Sequence, residues 1–427
     1  MKIGIIGAGI SGLTAAWLLQ EDHEVYLFER NDHWGGHARS LVVNWQGAEV
    51  TVDPGAQNFS TQMYPCFIEL LRILGVPTLP TPMRIAISWL TSPREVMLTP
   101  TGKLLELRHS LSPATLLAQL WLRTAIRRAA PIKSWDVTVQ EFLTELKAPR
   151  PFVADILLPF LAMMLGTTIE KTYPASLRAA MVYPVLHQPP NPLKPFHMLA
   201  IPGGVQTYIH RLVSQLDPAR TIKGVADLRV SRDTGKEPGS YRIRHGGGPD
   251  LTVDHLVVAT SARDVESLLA ELPGKQPLLD QLRKIEYINT ELAVHSDVGY
   301  MPRDPRLWAE WNIQNHPAVS EFTMWAGRPQ GAPVFKSWLF HESRRPYSQY
   351  QSFKFYHPSM TPSYYRVQKA LREHQGKDNL WLAGSYHMHF DSHESAVRSA
   401  LNLAKALSSR AQHLPRLAAS MQRLSLD

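Results

Sequence analysis

Cysteine is almost missing: Cys66 is the only one in 427 residues. That excludes an internal disulfide, a CxxC redox pair, a thiolate zinc cage and an all-cysteine iron–sulfur site, and it suits a reducing compartment. Long apolar runs are missing too. No stretch approaches the roughly 18 uncharged apolar residues that a membrane span needs, and the first apolar stretch, residues 3–19, is interrupted by Gly and Ser. No export signal is expected, and the expected location is cytoplasmic, with the inner face of a membrane as an option. Charge of one sign is not concentrated: 45 Lys+Arg against 37 Asp+Glu leave +8, densest at Arg123, Arg127 and Arg128. Such a balance permits an acidic substrate or an anionic surface without demanding either. There is no serine-hydrolase elbow, P-loop, HExxH helix or internal repeat, and the only biased tracts are Pro-rich corners such as QPPNPLKP at 188–195. What is there is 44% hydrophobic content, enough for a substantial core, over a length that at about 150 residues per domain means two or three lobes.

The strongest signal opens the chain. Lys2 to Ile6 reads as a short buried strand, GAGISG supplies Gly7, Gly9 and Gly12 around Ser11, and LTAAWLLQ continues with helical periodicity. The first glycine permits the tight turn, the second lets a pyrophosphate approach the backbone, and the third lets helix and strand pack closely. The helix start adds free N–H groups and a positive dipole end for phosphates. HEVYLFER then forms a second alternating strand that ends at Glu29, twenty residues beyond Gly9. A carboxylate there accepts hydrogen bonds from both ribose hydroxyls of an adenosine and repels a 2′-phosphate, although Arg30 beside it keeps NADP in play.

After Glu29 comes RNDHWGGHARS. Its glycine pair, Gly35-Gly36, resembles the flavoprotein extension of this fingerprint in the flavin-containing amine oxidase and phytoene desaturase superfamily. An Arg normally follows that pair and neutralises the pyrophosphate; here His37 holds the slot and Arg39 lies two residues on. Further segments resemble the superfamily in order. VDPGAQNFS at 52–60 looks like its Asp-x-Gly segment beside the isoalloxazine, which implies roles for Gly55, Ala56 and Gln57. IPGGVQTYIHRL at 201–212 looks like its mid-chain Gly-Gly and helix. GVADLRV at 224–230 is similar to the strand whose backbone, at Val225, meets adenine, and DHLVVATSA at 254–262 to the strand returning under the cofactor. NLWLAGSYHMHFDSHESAVRSALNLAKAL resembles the terminal flavin motif, with Gly384, Ser385, Glu394, Ala396 and Val397 at the cofactor. LAVHSDVGYMPRDPRLWAEWN and FKFYHP sharpen the likeness to a bacterial branch of predicted NAD/FAD-binding amine oxidoreductases often discussed with lipid modification.

The resemblance implies an α/β fold, a Rossmann-like FAD-binding domain of the amine oxidase type with an interleaved α+β substrate domain. The FAD-binding domain would take residues 1–80, 200–285 and 378–427, and the substrate domain 81–199 and 286–377. The residues agree in part. YINTELAVH at 287–295 and SFKFYH at 352–357 alternate as antiparallel strands do, whereas the first insertion reads as helical, with one helix capped by Ser112, opened by Pro113 and ended by Pro131, and a second in WDVTVQEFLTEL. A helix starting near Glu394 would aim its N–H groups at the flavin N1–C2=O edge and stabilise the anion formed on reduction, or Ala396, Leu401 and Ala404 would simply pack it on the first strand.

Other clusters carry two readings each. His387, His389 and His393 lie within seven residues, but only Asp391 and Glu394 accompany them, so no metal is expected. Tyr386, His387 and His389 instead line the flavin face, as the resemblance implies, or are satisfied cleft histidines. FKSWLFHESRRPYSQYQSFKFYHP interleaves Lys336, Arg344, Arg345 and Lys354 with aromatics. Total charge is low for nucleic acid, so these read as sheet residues roofing a cavity with their charges in water. Leu116, Leu117, Leu120, Trp121 and Leu122 ahead of Arg123, Arg127 and Arg128 read first as core packing and second as a peripheral membrane contact. With no Cys beyond residue 66, FAD is expected to be bound non-covalently.

The function these readings imply is an FAD-dependent oxidoreductase in which flavin N5 takes a hydride from an amine or a lipid-like substrate. A redox-neutral isomerase or cyclase, an NAD-dependent dehydrogenase and a non-catalytic flavin-binding partner of a lipid-modifying enzyme are the rivals. No residue is marked as catalytic base; Gln57, Tyr386 and His387 are candidates for the cavity. Substrate identity, electron acceptor and oligomeric state are not legible.

Overall fold

The computed structural model describes residues 1–427 apart from 56, 100–111, 188–195, 226, 234–238, 247, 317–318, 342–343, 425 and 427. Ala56 and the Pro-rich corner therefore lie outside the described residues. Lys2–Ile6 forms strand β1, Ile10–Leu19 helix α1 and Glu24–Phe28 strand β2. They belong to a five-stranded parallel sheet in the order Leu380–Leu382, His255–Val258, β1, β2, Thr221–Ile222. A parallel strand covered on both faces needs apolar side chains on both, and Ile3, Ile5 and Ile6 are all buried. On one face Leu13 and Trp17 of α1 share a core with Val397, Leu401 and Ala404 of the helix His393–Leu407. On the other, Ile6, Leu256 and Val258 meet Tyr241, Ile243 and Val253 of a three-stranded antiparallel sheet. A Cβ at Gly4 would lie 2.4 Å from Ile243 Cδ1, so the two sheets meet closely there.

The expected strand at 224–230 differs. Gly224 turns with φ +76°, and the N–H groups of Gly224 and Val225 donate across to the carbonyls of Asn31 (2.8 Å) and Glu29 (3.0 Å). The strand proper is Arg229–Arg232, in the antiparallel sheet. A left-handed glycine bends the chain out of register with β2 after Ile222, which the apolar alternation alone does not reveal.

The other large element is a seven-stranded sheet in the order Gln349–Pro358, Tyr287–His295, Phe335–Trp338, Ser320–Trp325, Trp311–Asn315, Ile85–Trp89, Ser92–Met97. Tyr287–His295 and Gln349–Pro358 pair antiparallel, as their alternation predicts. The first insertion is not purely helical: it opens with strands Leu79–Met83, Ile85–Trp89 and Ser92–Met97, and Ile85–Trp89 joins Trp311–Asn315 in the sheet's one parallel pairing. Its helices follow. Pro113–Ala129 is capped by Ser112, which accepts from the Thr115 N–H, and Val139–Leu146 begins with a capping box of Thr138 and Glu141.

Candidate dinucleotide site

The turn after β1 is fixed by its own backbone. Gly7 adopts φ +103° while its N–H donates to Phe28 O at 2.8 Å. A Cβ at Gly7 would lie 2.7 Å from Ala259 O, and one at Gly12 would lie 1.9 Å from Gly7 O. Gly9 is different: a Cβ there meets nothing within 4 Å. No protein neighbour demands that glycine, and the space it leaves lies at the start of α1, where Gly9 as N-cap offers no side chain and the first turn holds no acid. The N–H groups of Ser11 and Gly12 are thus presented with the dipole's positive end, a site built for an anion.

Two elements complete this cradle. Glu29 is buried, its Oε2 accepting from the Ala8 N–H (2.8 Å) and its Oε1 from the Asn31 N–H (2.9 Å) and Nδ2 (2.7 Å). Three of a carboxylate's roughly four acceptor positions are filled, so Glu29 orders the glycine turn and retains little capacity for a ribose. Arg30 turns outward to Asp264 at 3.1 Å. The second glycine pair lies directly on the first turn: Gly35 N–H donates to Ala8 O (2.9 Å), Gly9 and Gly35 form a parallel bridge, and a Cβ at Gly36 would lie 3.3 Å from Gly9 Cα. Arg39 stays local, its Nε–H donating to Gly36 O at 3.2 Å.

From here the segment after the second glycine pair reaches the seven-stranded sheet at His37. His37 is exposed on this segment, and the protein packed around it lowers its pKa. Phe355 packs edge-on against it (5.1 Å) and His357 follows at 6.2 Å. A Cβ at Gly55 would lie 2.3 Å from His37 O, which explains a glycine there. Beside His357, Asp391 accepts from Ser385 Oγ (2.5 Å) and from His357 Nδ1 (2.8 Å). Burial pushes the Asp391 carboxyl up, but the hydrogen bond and charge of His357, the Ser385 hydroxyl and the field of His37 outweigh it and hold it at about 2. An ionised carboxylate only accepts, so His357 Nδ1 is the donor in this contact.

Behind Gly55 sits a buried charge pair. Lys336 is fully enclosed, contrary to the expectation that the charges of its segment face water; Nζ donates to the Asp53 carbonyl at 2.8 Å and lies 5.2 Å from the Trp338 ring. The Asp53 carboxylate accepts from Ser40 Oγ (2.6 Å) and the Val205 N–H (3.1 Å). Burial lowers Lys336 to about 8 against the attraction of Asp53, and raises Asp53. Arg344 is also drawn inward, to Glu321 Oε2 (2.6 Å) and Gly299 O (2.6 Å). The guanidinium tolerates such burial because it finds a backbone carbonyl and a carboxylate, and the ammonium because it donates to the Asp53 carbonyl within the attraction of the Asp53 charge, which residue type alone does not announce.

The remaining candidates divide. Gln57 and Tyr386 keep a buried polar atom each, Oε1 and the hydroxyl, without a protein partner among the described residues. His387 is tied up instead: burial lowers it to about 4, and Nε2 meets Ser399 Oγ at 2.9 Å, the hydroxyl that also accepts from the Gly384 N–H. The three histidines diverge, His389 toward Trp135 (6.2 Å) and His393 against Phe67 (4.8 Å), and among the described residues no group of three or more His, Cys, Asp or Glu could hold a metal. Glu394 turns toward the helix Pro65–Ile73. Its Oε2 accepts from the N–H groups of Cys66 and Phe67, at the start of helix Pro65–Ile73, and its Oε1 from Arg398 Nε (2.7 Å). The Ala396 N–H is spent on Ser392 O, and Val397 packs in the core, so a ligand at this helix start meets the backbone of His393 and Glu394. Cys66 is buried, and burial next to Glu394 pushes its thiol up to about 12. Sequence reasoning missed Asp391 and His357 as partners; Asp391 stood in plain view inside HMHFDSHES, but its partner lies on a strand 34 residues away.

Residues 5–74 match the model of the NAD(P)-binding Rossmann-like domain. An uncharacterised protein of Methanocaldococcus jannaschii is 43% identical over 51 residues, a stretch that spans 12% of either chain. Among solved structures, cyclohexylamine oxidase from Brevibacterium oxydans IH-35A superposes with a TM-score of 0.68 at 16% identity, covering 95% of this chain and 98% of that one. A CLA-producing fatty acid isomerase from P. acnes gives 0.67 at 16% over 95% and 98%, and putrescine oxidase bound to putrescine 0.67 at 13% over 96% and 100%. Among the described residues no helix is long and apolar enough to cross a membrane. The chain thus carries a segment, residues 5–74, that matches the NAD(P)-binding Rossmann-like domain, and shares its overall fold with cyclohexylamine oxidase, putrescine oxidase and the fatty acid isomerase.

Proposed function

We propose that this protein is an FAD-dependent oxidoreductase that takes a hydride from an amine or a lipid-like small molecule. The observation that carries the reading is the open space at Gly9, bounded by the uncapped start of α1 and the second glycine pair. Gly7, Gly9, Ser11, Gly12, Gly35 and Gly36 would hold the pyrophosphate, with Glu29 ordering their turn rather than meeting the ribose; Val225 would hold the adenosine, and Gly55, Gln57, Gly384 and Ser385 the ring system. Bound there, FAD supplies a two-electron acceptor for a C–H next to nitrogen or on an unfunctionalised carbon.

The chain's own residues orient and desolvate. Asp391, held ionised, accepts from His357 Nδ1 and so fixes the orientation of that ring. Tyr386 and Gln57 offer buried polar atoms that await a partner. Cys66, the one thiol, is buried at the start of another helix, which favours non-covalent cofactor binding. The fatty acid isomerase among the fold's relatives keeps a redox-neutral reaction as the second reading.

The test is an anaerobic visible spectrum of the purified protein, before and after addition of a panel of amines and of unsaturated or methylated phospholipids. The expected result is a two-banded flavin spectrum, released into solution by denaturation and bleached by one class. A colourless protein that FAD cannot reconstitute overturns the reading; turnover with no net use of an electron acceptor moves it to the isomerase.

A further inference from the structure

The helix Pro113–Ala129 turns the wrong face outward. Its buried residues are small, Thr115, Ala118, Ala125 and Ala129 with Ile126, while Leu116, Leu117 and Leu120 are 47%, 54% and 61% exposed. Trp121 and Leu122 do pack, Trp121 against Phe152, so the core-packing expectation holds for these two and fails for the three leucines. At about 100° per residue, Leu116, Leu117, Leu120, Arg123 and Arg127 fall on one stripe. The first two turns of that stripe are apolar and the next two basic, and Arg128 beside it is exposed as well. The helix contains no acid, and among the described residues Arg123, Arg127 and Arg128 enter no ion pair. Elsewhere the exposed large apolar residues are scattered singly or in tyrosine-rich strands.

We infer that this stripe docks the protein on an anionic phospholipid surface, the leucines entering the interface and the arginines meeting headgroup phosphates. Three leucines on a convex helix form a ridge. A protein partner would need a matching groove, whereas a bilayer interface accepts a ridge at any lateral position and supplies the negative charge that the arginines lack within the chain. The inference stands apart from the flavin reading, since docking and flavin content are separate measurements on one sample.

The experiment is flotation of the full-length protein with vesicles of phosphatidylcholine alone and of phosphatidylcholine with phosphatidylglycerol. Binding is expected only to the second, weakening as salt rises. The combined change Leu116→Ser, Leu117→Ser, Leu120→Ser should weaken it at least about tenfold, and Arg123→Glu with Arg127→Glu by about tenfold or more, with loss of the salt dependence. Both variants should keep the melting temperature; if the leucine variant does not fold, the arginine variant decides. No flotation of the natural protein, undiminished flotation of a folded variant, or a dimer in solution that the leucine changes dissolve while vesicles bind nothing would each overturn the inference.

Discussion

Helix α1 and the helix Pro113–Ala129 are buried to opposite degrees. In α1 nine of ten residues are buried; in the longer helix five of seventeen are. An element enclosed on every side leaves its sequence no freedom, so strand, glycine turn and helix were readable at once. An element enclosed on one side writes only that side into its sequence, and the composition of the free face reports whatever the element meets outside the fold. The same contrast separates the parallel sheet from the seven-stranded one, where Lys336 hides among residues whose alternation looks solvent-facing.

The largest effect should come from Gly12. Gly12→Val drives a Cβ into Gly7 O and should cost about 3 kcal/mol or more, read as a fall in melting temperature. Gly9→Ala meets no neighbour, so stability should stay within about 0.5 kcal/mol while flavin content drops. Equal destabilisation by both would reduce Gly9 to a structural glycine and break the contrast between the two.

Next comes the seam between the sheets. Lys336 falls from its ordinary 10.5 to about 8 in the folded state. Between those values the unfolded chain holds more protons than the folded one, so stability should rise with pH through that window, by up to about 3 kcal/mol. Lys336→Met should remove the rise; denaturant titrations at pH 8 and above check it, and an unchanged slope would place the lysine in solvent.

Asp391 runs the other way. Its folded value, about 2, lies below the usual 3.8, and its side chain is 21% exposed. The contribution, about 2 kcal/mol, is complete above pH 4 and lost as pH falls toward 2. The advantage of the natural protein over Asp391→Asn should vanish over that range, and a constant difference would deny the His357 and Ser385 contacts. Smallest of all, Leu117→Gln in the exposed stripe should change stability by no more than about 0.5 kcal/mol, against about 2 kcal/mol or more for Leu401→Ala in the core beside α1.

Legibility followed the range of the interactions. The turn at Gly7, Gly9 and Gly12, the caps at Ser112 and Thr138 and the pairing of Tyr287–His295 with its neighbour rest on residues close in sequence or on plain periodicity. The strand Ile85–Trp89 escaped because its partner lies in the other insertion. Glu394 was read by its neighbours in sequence, yet its carboxylate is committed to Cys66 and Phe67, more than three hundred residues earlier. His357 with Asp391, and Lys336 with Asp53, exist only once a strand of the seven-stranded sheet has met a loop from elsewhere in the chain.

The parallel sheet also sets an order of events. β1 and α1 are made long before the strand Leu380–Leu382 that extends their sheet and the helix His393–Leu407 that covers Leu13 and Trp17. Until then the edge at His255–Val258 stays unpaired and the apolar side of α1 uncovered, a nascent chain that must be shielded from its neighbours before it can close.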